Sequence, residues 1–284
     1  MSRIVYLNGQ FLPEVDAKIS VFDRGFTFAD AVYEVTCVVG GKLVDYAGHA
    51  ARLKRSLGEL GIRMPCDDAR MLALHREIVA RNALEEGLIY LQVSRGAEDR
   101  DFLFDDGLTP TFVMYTQARE VLANPKIETG LKIAVASDGR WARRDIKTVQ
   151  LLLPSLAKTA AHAQGADDVF LVEDGLITEA SGANAHIIDA RGVLITRPLS
   201  HAILPGITRG SILEIALAAG MAVEDRGFSV DEAKAAAECF LSSATSFVMP
   251  VVELDGQTIG DGRPGPITKR LRALYLEHKL ATAI

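Results

Sequence analysis

Cysteine is scarce and scattered: the 284-residue chain has three, Cys37, Cys66 and Cys239, with no Cys-x-x-Cys spacing. Isolated thiols in odd number exclude a disulfide framework and a thiolate zinc site, and a reducing, cytoplasmic location is expected. Six histidines, at 49, 75, 162, 186, 201 and 278, never pair at i,i+2 or i,i+4, and His-Glu-x-x-His is absent, so no metal site is expected. Charge of one sign is never bunched: 31 Lys and Arg stand against 37 Asp and Glu, giving a net charge of -6 and a pI near 5.6. Without a basic stripe, neither nucleic acid nor an anionic membrane is an expected partner. No uncharged apolar run approaches the ~18 residues of a membrane span, and the Asn8-Gly9 turn signal interrupts the N-terminal apolar residues. A soluble chain without a signal peptide is expected. Gly-x-x-x-x-Gly-Lys-Ser/Thr and Gly-x-Ser-x-Gly are missing too, which weakens nucleotide and serine-hydrolase readings. The one Gly-x-Gly-x-x-Gly match, Gly260 to Gly265, has too little chain after it for a strand–helix–strand unit and reads as a loop.

What is present is the composition of an ordinary folded globular protein, 49% hydrophobic and 24% charged, able to bury roughly 75% of its unfolded surface in one large or two modest domains. Val5–Leu7, Asn8-Gly9 and Phe11-Leu12 spell a hairpin, and residues 31–39 a strand that stops at Gly40-Gly41. Helical spacing predicts helices over 49–60, ended by Gly61, and 67–84; strands follow at 88–93 and 111–116. Residues 119–131, with an Asn124-Pro125 turn signal, lose periodicity and are the expected linker between a small N-terminal α/β domain, 1–118, and a large C-terminal domain, 132–284. The second domain reads as a strand from Leu131, a helix over 155–164, a strand at 169–172, three short strands, a helix opened by Gly206-Ile207-Thr208, and a Ser229-capped helix over 233–237. Both halves mix strands with one-sided helices, so the class is mixed α/β (α+β).

Several positions carry chemistry and each has a plainer reading. Gly206-Ile207-Thr208 is either an anion-binding helix start or an ordinary cap. The turn through Ser243 and Ala244 is either part of a phosphate cup or only a turn. Lys147, between a charged and an apolar segment, is either a Schiff-base amine or a snorkelling side chain. Glu179 is either a site carboxylate or a solvated turn residue.

Five segments resolve these alternatives together: Asp23-Arg24-Gly25-Phe26-x-Phe28-x-Asp30-x-Val32-Tyr33-Glu34-Val35, Arg52-Leu53, Asp145-Ile146-Lys147, Thr178-Glu179-x-Ser181-x-x-Asn184 and Leu204-x-Gly206-Ile207-Thr208-Arg209. In order and spacing they resemble the fold-type IV pyridoxal-phosphate transaminases over about residues 4–276, most of all the D-amino-acid transaminases. The resemblance implies a two-domain fold of the branched-chain and D-amino-acid transaminase type, pyridoxal 5'-phosphate as cofactor, and ping-pong transfer of an amino group from small-molecule amino donors to 2-oxo acid acceptors. It implies Lys147 as the catalytic, cofactor-linked lysine and Glu179 as the partner of the pyridine nitrogen. Arg52, Ile207, Thr208, Ser243 and Ala244 would hold the phosphate, and Leu204 would pack on the ring. Tyr33, Arg100 and Phe102 would face the substrate, with a homodimer whose active site lies at the subunit interface. Phe102 stands where the family's D-amino-acid transaminases carry a histidine, leaving Arg100 to take the substrate carboxylate and adding an apolar surface. An (R)-selective amine transaminase is therefore the first alternative, followed by a branched-chain transaminase, an aminodeoxychorismate lyase, and a non-catalytic binding module.

Overall fold

The computed structural model describes residues 2–284, which fold as two units. The first unit takes in the chain up to Val121 together with Ile146–Gln150 and Thr282–Ile284. In it β1 (Ile4–Leu7) and β2 (Gln10–Pro13) form the hairpin, with Asn8 and Gly9 both at positive φ as its turn demands. A single-turn helix α1 (Arg24–Thr27), capped by Asp23, leads to β3 (Ala31–Val39) and the short β4 (Lys42–Leu43). Helices α2 (Tyr46–Glu59) and α3 (Asp68–Arg81) precede β5 (Glu86–Ser94) and β6 (Thr111–Ala118). The six strands form one sheet, β2-β1-β6-β5-β3-β4, antiparallel at every step. Leu53 and Leu57 of α2 and Met71, Leu74 and Ile78 of α3 are buried at helical spacing, each contributing about 1.5–3 kcal/mol. Helix α2 starts at Tyr46, three residues before the predicted His49, because Asp45 takes the left-handed conformation (φ 55°) that turns the chain into it.

Because β4 pairs only with Val38 and Val39, the outer edge of β3 near Ala31 stays open. The chain at Lys147–Val149 fills it: Tyr33 N–H donates to Lys147 O at 3.0 Å, Val149 N–H to Ala31 O at 3.2 Å, and Thr148 pairs with Val32. This edge pairing carries residues 146–150 into the first unit, a correction to the single C-terminal domain 132–284. Ile284 exchanges backbone hydrogen bonds with Leu43 and belongs there as well.

The second unit opens with a one-turn helix α4 (Lys126–Thr129) inside the expected linker, followed by β7 (Leu131–Ser137), helix α5 (Leu152–Ala163), β8 (Asp168–Glu173), β9 (Leu176–Ala180), β10 (Asn184–Ile188) and β11 (Leu194–Thr196). Then come α6 (Ile207–Ala218), β12 (Val223–Asp225), α7 (Val230–Lys234), β13 (Glu238–Ser243), β14 (Phe247–Leu254), β15 (Gln257–Thr258) and α8 (Pro266–Ala281). Eight of the nine strands run β12-β11-β10-β13-β14-β7-β8-β9, and β15 pairs with β14. The last strand of that path, β9, connects through a tight turn to β10 near its other end, with Ala180 N–H donating to Ala183 O at 2.8 Å, so the sheet curls on itself. One apolar cluster fills the curl, including Ile133, Phe170, Ile177, Ile187, Leu241 and Met249. Helix α5 begins at Leu152 rather than Ser155, since Pro154 is tolerated in a first turn. Helix α7 stops at Lys234 rather than 237 because Ala237 N–H is drawn to Ile188 O at 2.9 Å. Helix α8 is capped from a distance, Glu238 accepting from Ile267 N and Thr268 N at 2.9 and 2.7 Å, and so has no local start signal. Among the described residues no helix is long and apolar enough to cross a membrane.

Candidate active site

In the first unit the edge pairing on β3 places Lys147 beside Tyr33. The half-buried Lys147 Nζ lies 4.2 Å from the centre of the Tyr33 ring, and its backbone N–H points to Ser56 Oγ of α2 at 3.4 Å. Along β3 the neighbouring side chain alternates to the other face, so Glu34 turns toward α2. There it accepts from Arg52 Nε at 2.7 Å and Arg52 Nη2 at 2.9 Å, and meets His49 Nδ1 at 2.8 Å. Burial alone would raise the Glu34 carboxyl, but the Arg52 charge and hydrogen bonds, joined by His49, outweigh it and hold the pKa at about 2. Arg52 is therefore a buried, ionically oriented cation rather than a loose surface one. On the opposite side Tyr33 begins a row of stacked rings, Tyr33–Tyr90 at 5.6 Å and Tyr90–Tyr115 at 4.9 Å.

The same unit holds Arg100 and Phe102 on the loop between β5 and β6. Phe102 is 80% exposed and meets Phe28 edge-on at 5.8 Å, while the exposed Arg100 guanidinium lies 5.2 Å from Phe28 and 5.6 Å from Phe102. The loop is anchored by Arg24, which donates to Asp30, Glu98 and the Asp101 carbonyl at 2.8–3.0 Å, and by Arg95, bidentate on Asp30.

In the second unit Glu179 ends up at the meeting of β9 and β10. Its Oε1 accepts from Asn184 Nδ2 at 3.0 Å and from Leu204 N at 2.9 Å, and its Oε2 from Arg140 Nη1 at 2.6 Å. Asn184 also donates to the Leu204 carbonyl at 3.0 Å and stands opposite Ser242 on β13. One carboxamide thus ties Glu179 to the Leu204 turn and, through β13, to the Ser243–Ala244 turn. Gly206, the N-cap of α6, brings no capping side chain, and a Cβ there would fall 1.9 Å from Asn184 Oδ1. The amides of Ile207 and Thr208 in the first helical turn have no acceptor within the helix.

This donor set suits a phosphorylated, cationic ring. Arg140 and Arg144 face three carboxylates, Asp138, Glu173 and Glu179, with Arg197 also near Glu173. A pyridinium nitrogen would find a carboxylate in Glu179, and a helix start whose cap position admits only glycine is a natural phosphate cradle. The sequence motifs located Lys147, Glu179, Tyr33 and the 206–208 start. They included Glu34 without assigning it a role, and did not include Asp138 or Arg140, whose link to Glu179 spans 39 positions. The only local hint of Arg140 was the density of charge from Asp138 to Asp145.

The family described as amino-transferase class IV matches residues 31–254. The chain is 36% identical over 270 residues to the D-alanine aminotransferase of Bacillus licheniformis, 94% of each chain being covered. It is 37% identical over 276 residues to that of Listeria innocua, covering 96% of this chain and 95% of the relative. Among solved structures it superposes on a branched-chain aminotransferase of Thermoproteus uzoniensis crystallised with norvaline, with a TM-score of 0.88, 26% identity and coverage of 99% and 96%. The fold is also that of the Escherichia coli branched-chain amino acid aminotransferase, with a TM-score of 0.92, 23% identity and coverage of 98% and 95%.

Proposed function

The chain belongs to the class IV aminotransferases, and from that premise we propose that it transfers amino groups between D-amino acids, D-alanine and D-glutamate among them, and the 2-oxo acids pyruvate and 2-oxoglutarate. The observation that carries the reading is the half-buried Lys147 amine laid on the Tyr33 ring. The choice of D-amino acids rests on the D-alanine aminotransferases that match nearly end to end.

Pyridoxal 5'-phosphate, the cofactor of this class, supplies an electron-withdrawing ring that accepts the electrons left when the substrate Cα–H bond breaks. Lys147 Nζ would hold the cofactor and, once free, would serve as the base that takes the substrate Cα proton and returns it. Glu179, which accepts hydrogen bonds from Arg140, Asn184 and Leu204, would favour a proton on the ring nitrogen. The Ile207 and Thr208 amides and the Ser243–Ala244 turn would hold the phosphate, Arg52 is assigned as its cationic partner, and Leu204 would line the ring. Arg100 takes the substrate carboxylate, with Tyr33 beside it. The exposed Phe22, Phe26, Phe102 and Leu103 belong to segments tied together by the Asp23–Ala97 bridge, and this apolar surface suits a second copy of the chain in a homodimer that shares its active sites. Three free thiols, Cys37 and Cys239 buried, suit the cytoplasm.

The Phe28–Phe102 edge contact favours one second reading, an (R)-selective amine transaminase that places an aryl group against those rings. Steady-state rates with D-alanine and L-leucine, 2-oxoglutarate being the acceptor, and with (R)-1-phenylethylamine, pyruvate being the acceptor, separate the readings. D-Alanine is expected to give the largest kcat/KM with parallel-line ping-pong kinetics; activity confined to L-leucine would refute the proposal, and activity confined to the amine would select the second reading.

A further inference from the structure

Glu179 is bonded to a side chain, Arg140, that none of the quoted motifs contains. Arg140, just past β7, grips Asp138 with Nε at 2.9 Å and Nη2 at 2.7 Å, and sends Nη1 to Glu179 Oε2 at 2.6 Å. Asp138 is itself held, its side chain fully buried, by Thr178 Oγ1 at 2.6 Å and its own backbone N–H bonded to Val172 O at 2.8 Å. Arg144 stands 3.6 Å from Asp138 and pairs with Glu173. The guanidinium is thus a rigid fork with one tine pair on an anchored carboxylate and the third donor on the working one.

We propose that Arg140 is a positioning residue for Glu179: by occupying Oε2 from the anchored Asp138 it keeps the carboxylate ionised and aimed, and so keeps the proton of the carboxylate–pyridine pair on the cofactor's ring nitrogen. The inference rests on the reading of Glu179 as the ring-nitrogen partner. A carboxylate that loses a guanidinium becomes more basic, and in a shared hydrogen bond the proton then moves toward it and away from the nitrogen. Lysine at 140 would keep the charge but could not bridge two carboxylates in fixed geometry. The neighbouring charges that bear on the pair include Asp138, Arg144, Glu173 and, beside Glu173, Arg197.

The test uses holoenzyme reconstituted with pyridoxal 5'-phosphate labelled with nitrogen-15 in the ring, comparing wild type with Arg140→Met, Arg140→Gln, Arg140→Lys and Glu179→Gln, each checked for folding by circular dichroism. The ring-nitrogen resonance is expected at the protonated position in wild type, displaced toward the unprotonated position in Arg140→Met and Arg140→Gln, and partly restored in Arg140→Lys. The kcat should fall with the displacement while the KM for the amino donor stays within about twofold, since Arg140 is not assigned a contact with substrate. If Glu179→Gln displaces the resonance but the folded neutral variants at 140 do not, Arg140 is scaffolding and the inference is wrong. If Glu179→Gln leaves the resonance unmoved, the assignment of Glu179 itself fails and takes the inference with it. Arg140→Gln, which keeps a polar amide in the network, decides the matter if Arg140→Met does not fold.

Discussion

Glu34 and Glu179 are both buried carboxylates, and the difference in what surrounds them separates support from chemistry. Glu34 is enclosed by Arg52 and His49 and serves to orient a cation; Glu179 accepts from Arg140, from Asn184 and from Leu204 just before α6. Lys147→Ala should abolish turnover while leaving the fold nearly intact, because the side chain packs on one ring and its backbone bonds remain; single-turnover assays and a melting curve check this, and a loss of melting temperature matching the loss of activity would count against a chemical role. A second expectation concerns pH. Burial, and for His186 the nearby Arg209, holds His75 at about 4 and His186 at about 3, below an unfolded value of about 6.5. As pH falls below about 6.5 the unfolded chain takes up protons that the folded chain refuses, so stability is complete above that pH and declines toward 4 and 3, by up to about 1.4 kcal/mol per pH unit for each group. His186→Phe, which keeps the stack on Phe240, should flatten the dependence of melting temperature on pH between 7 and 5. Lys147 and Glu179 can be proposed from the sequence because their motifs are contiguous. Arg140, whose partner Glu179 lies 39 positions away, was not, since pairing across strands leaves no periodic trace.

At the scale of elements, the start of α6 is the most constrained feature. Gly206→Ala places a methyl 1.9 Å from Asn184 Oδ1, so the carboxamide must move and its bonds to Glu179 and Leu204 loosen together. Cofactor affinity, measured by equilibrium dialysis, is expected to drop by about tenfold or more, the equivalent of one charge-assisted hydrogen bond; an unchanged affinity would remove Asn184 from the account. Hairpin β1–β2 and strand β3 were readable from turn residues and periodicity, because each is decided within a few residues. The short pairing at Lys147–Val149 and helix α8 were not. The first depends on an edge left open by a strand elsewhere, and the second on a carboxylate about thirty positions upstream.

For the molecule as a whole, two kinds of surface matter: the apolar one built from the α1 segment and the 97–104 loop, and the charged remainder. Phe26→Asp combined with Leu103→Asp should convert a dimer to a monomer in light scattering and reduce turnover with it, whereas a monomeric wild type would exclude the shared site. The central claim is amino transfer from D-amino acids through Lys147, and a half-reaction reads it without any acceptor. Holoenzyme mixed with one equivalent of D-alanine is expected to lose its visible absorption and release one equivalent of pyruvate, with L-alanine inert and Lys147→Ala silent. Pyruvate from L-alanine at the same rate, or none from D-alanine while the visible absorption persists, would contradict it.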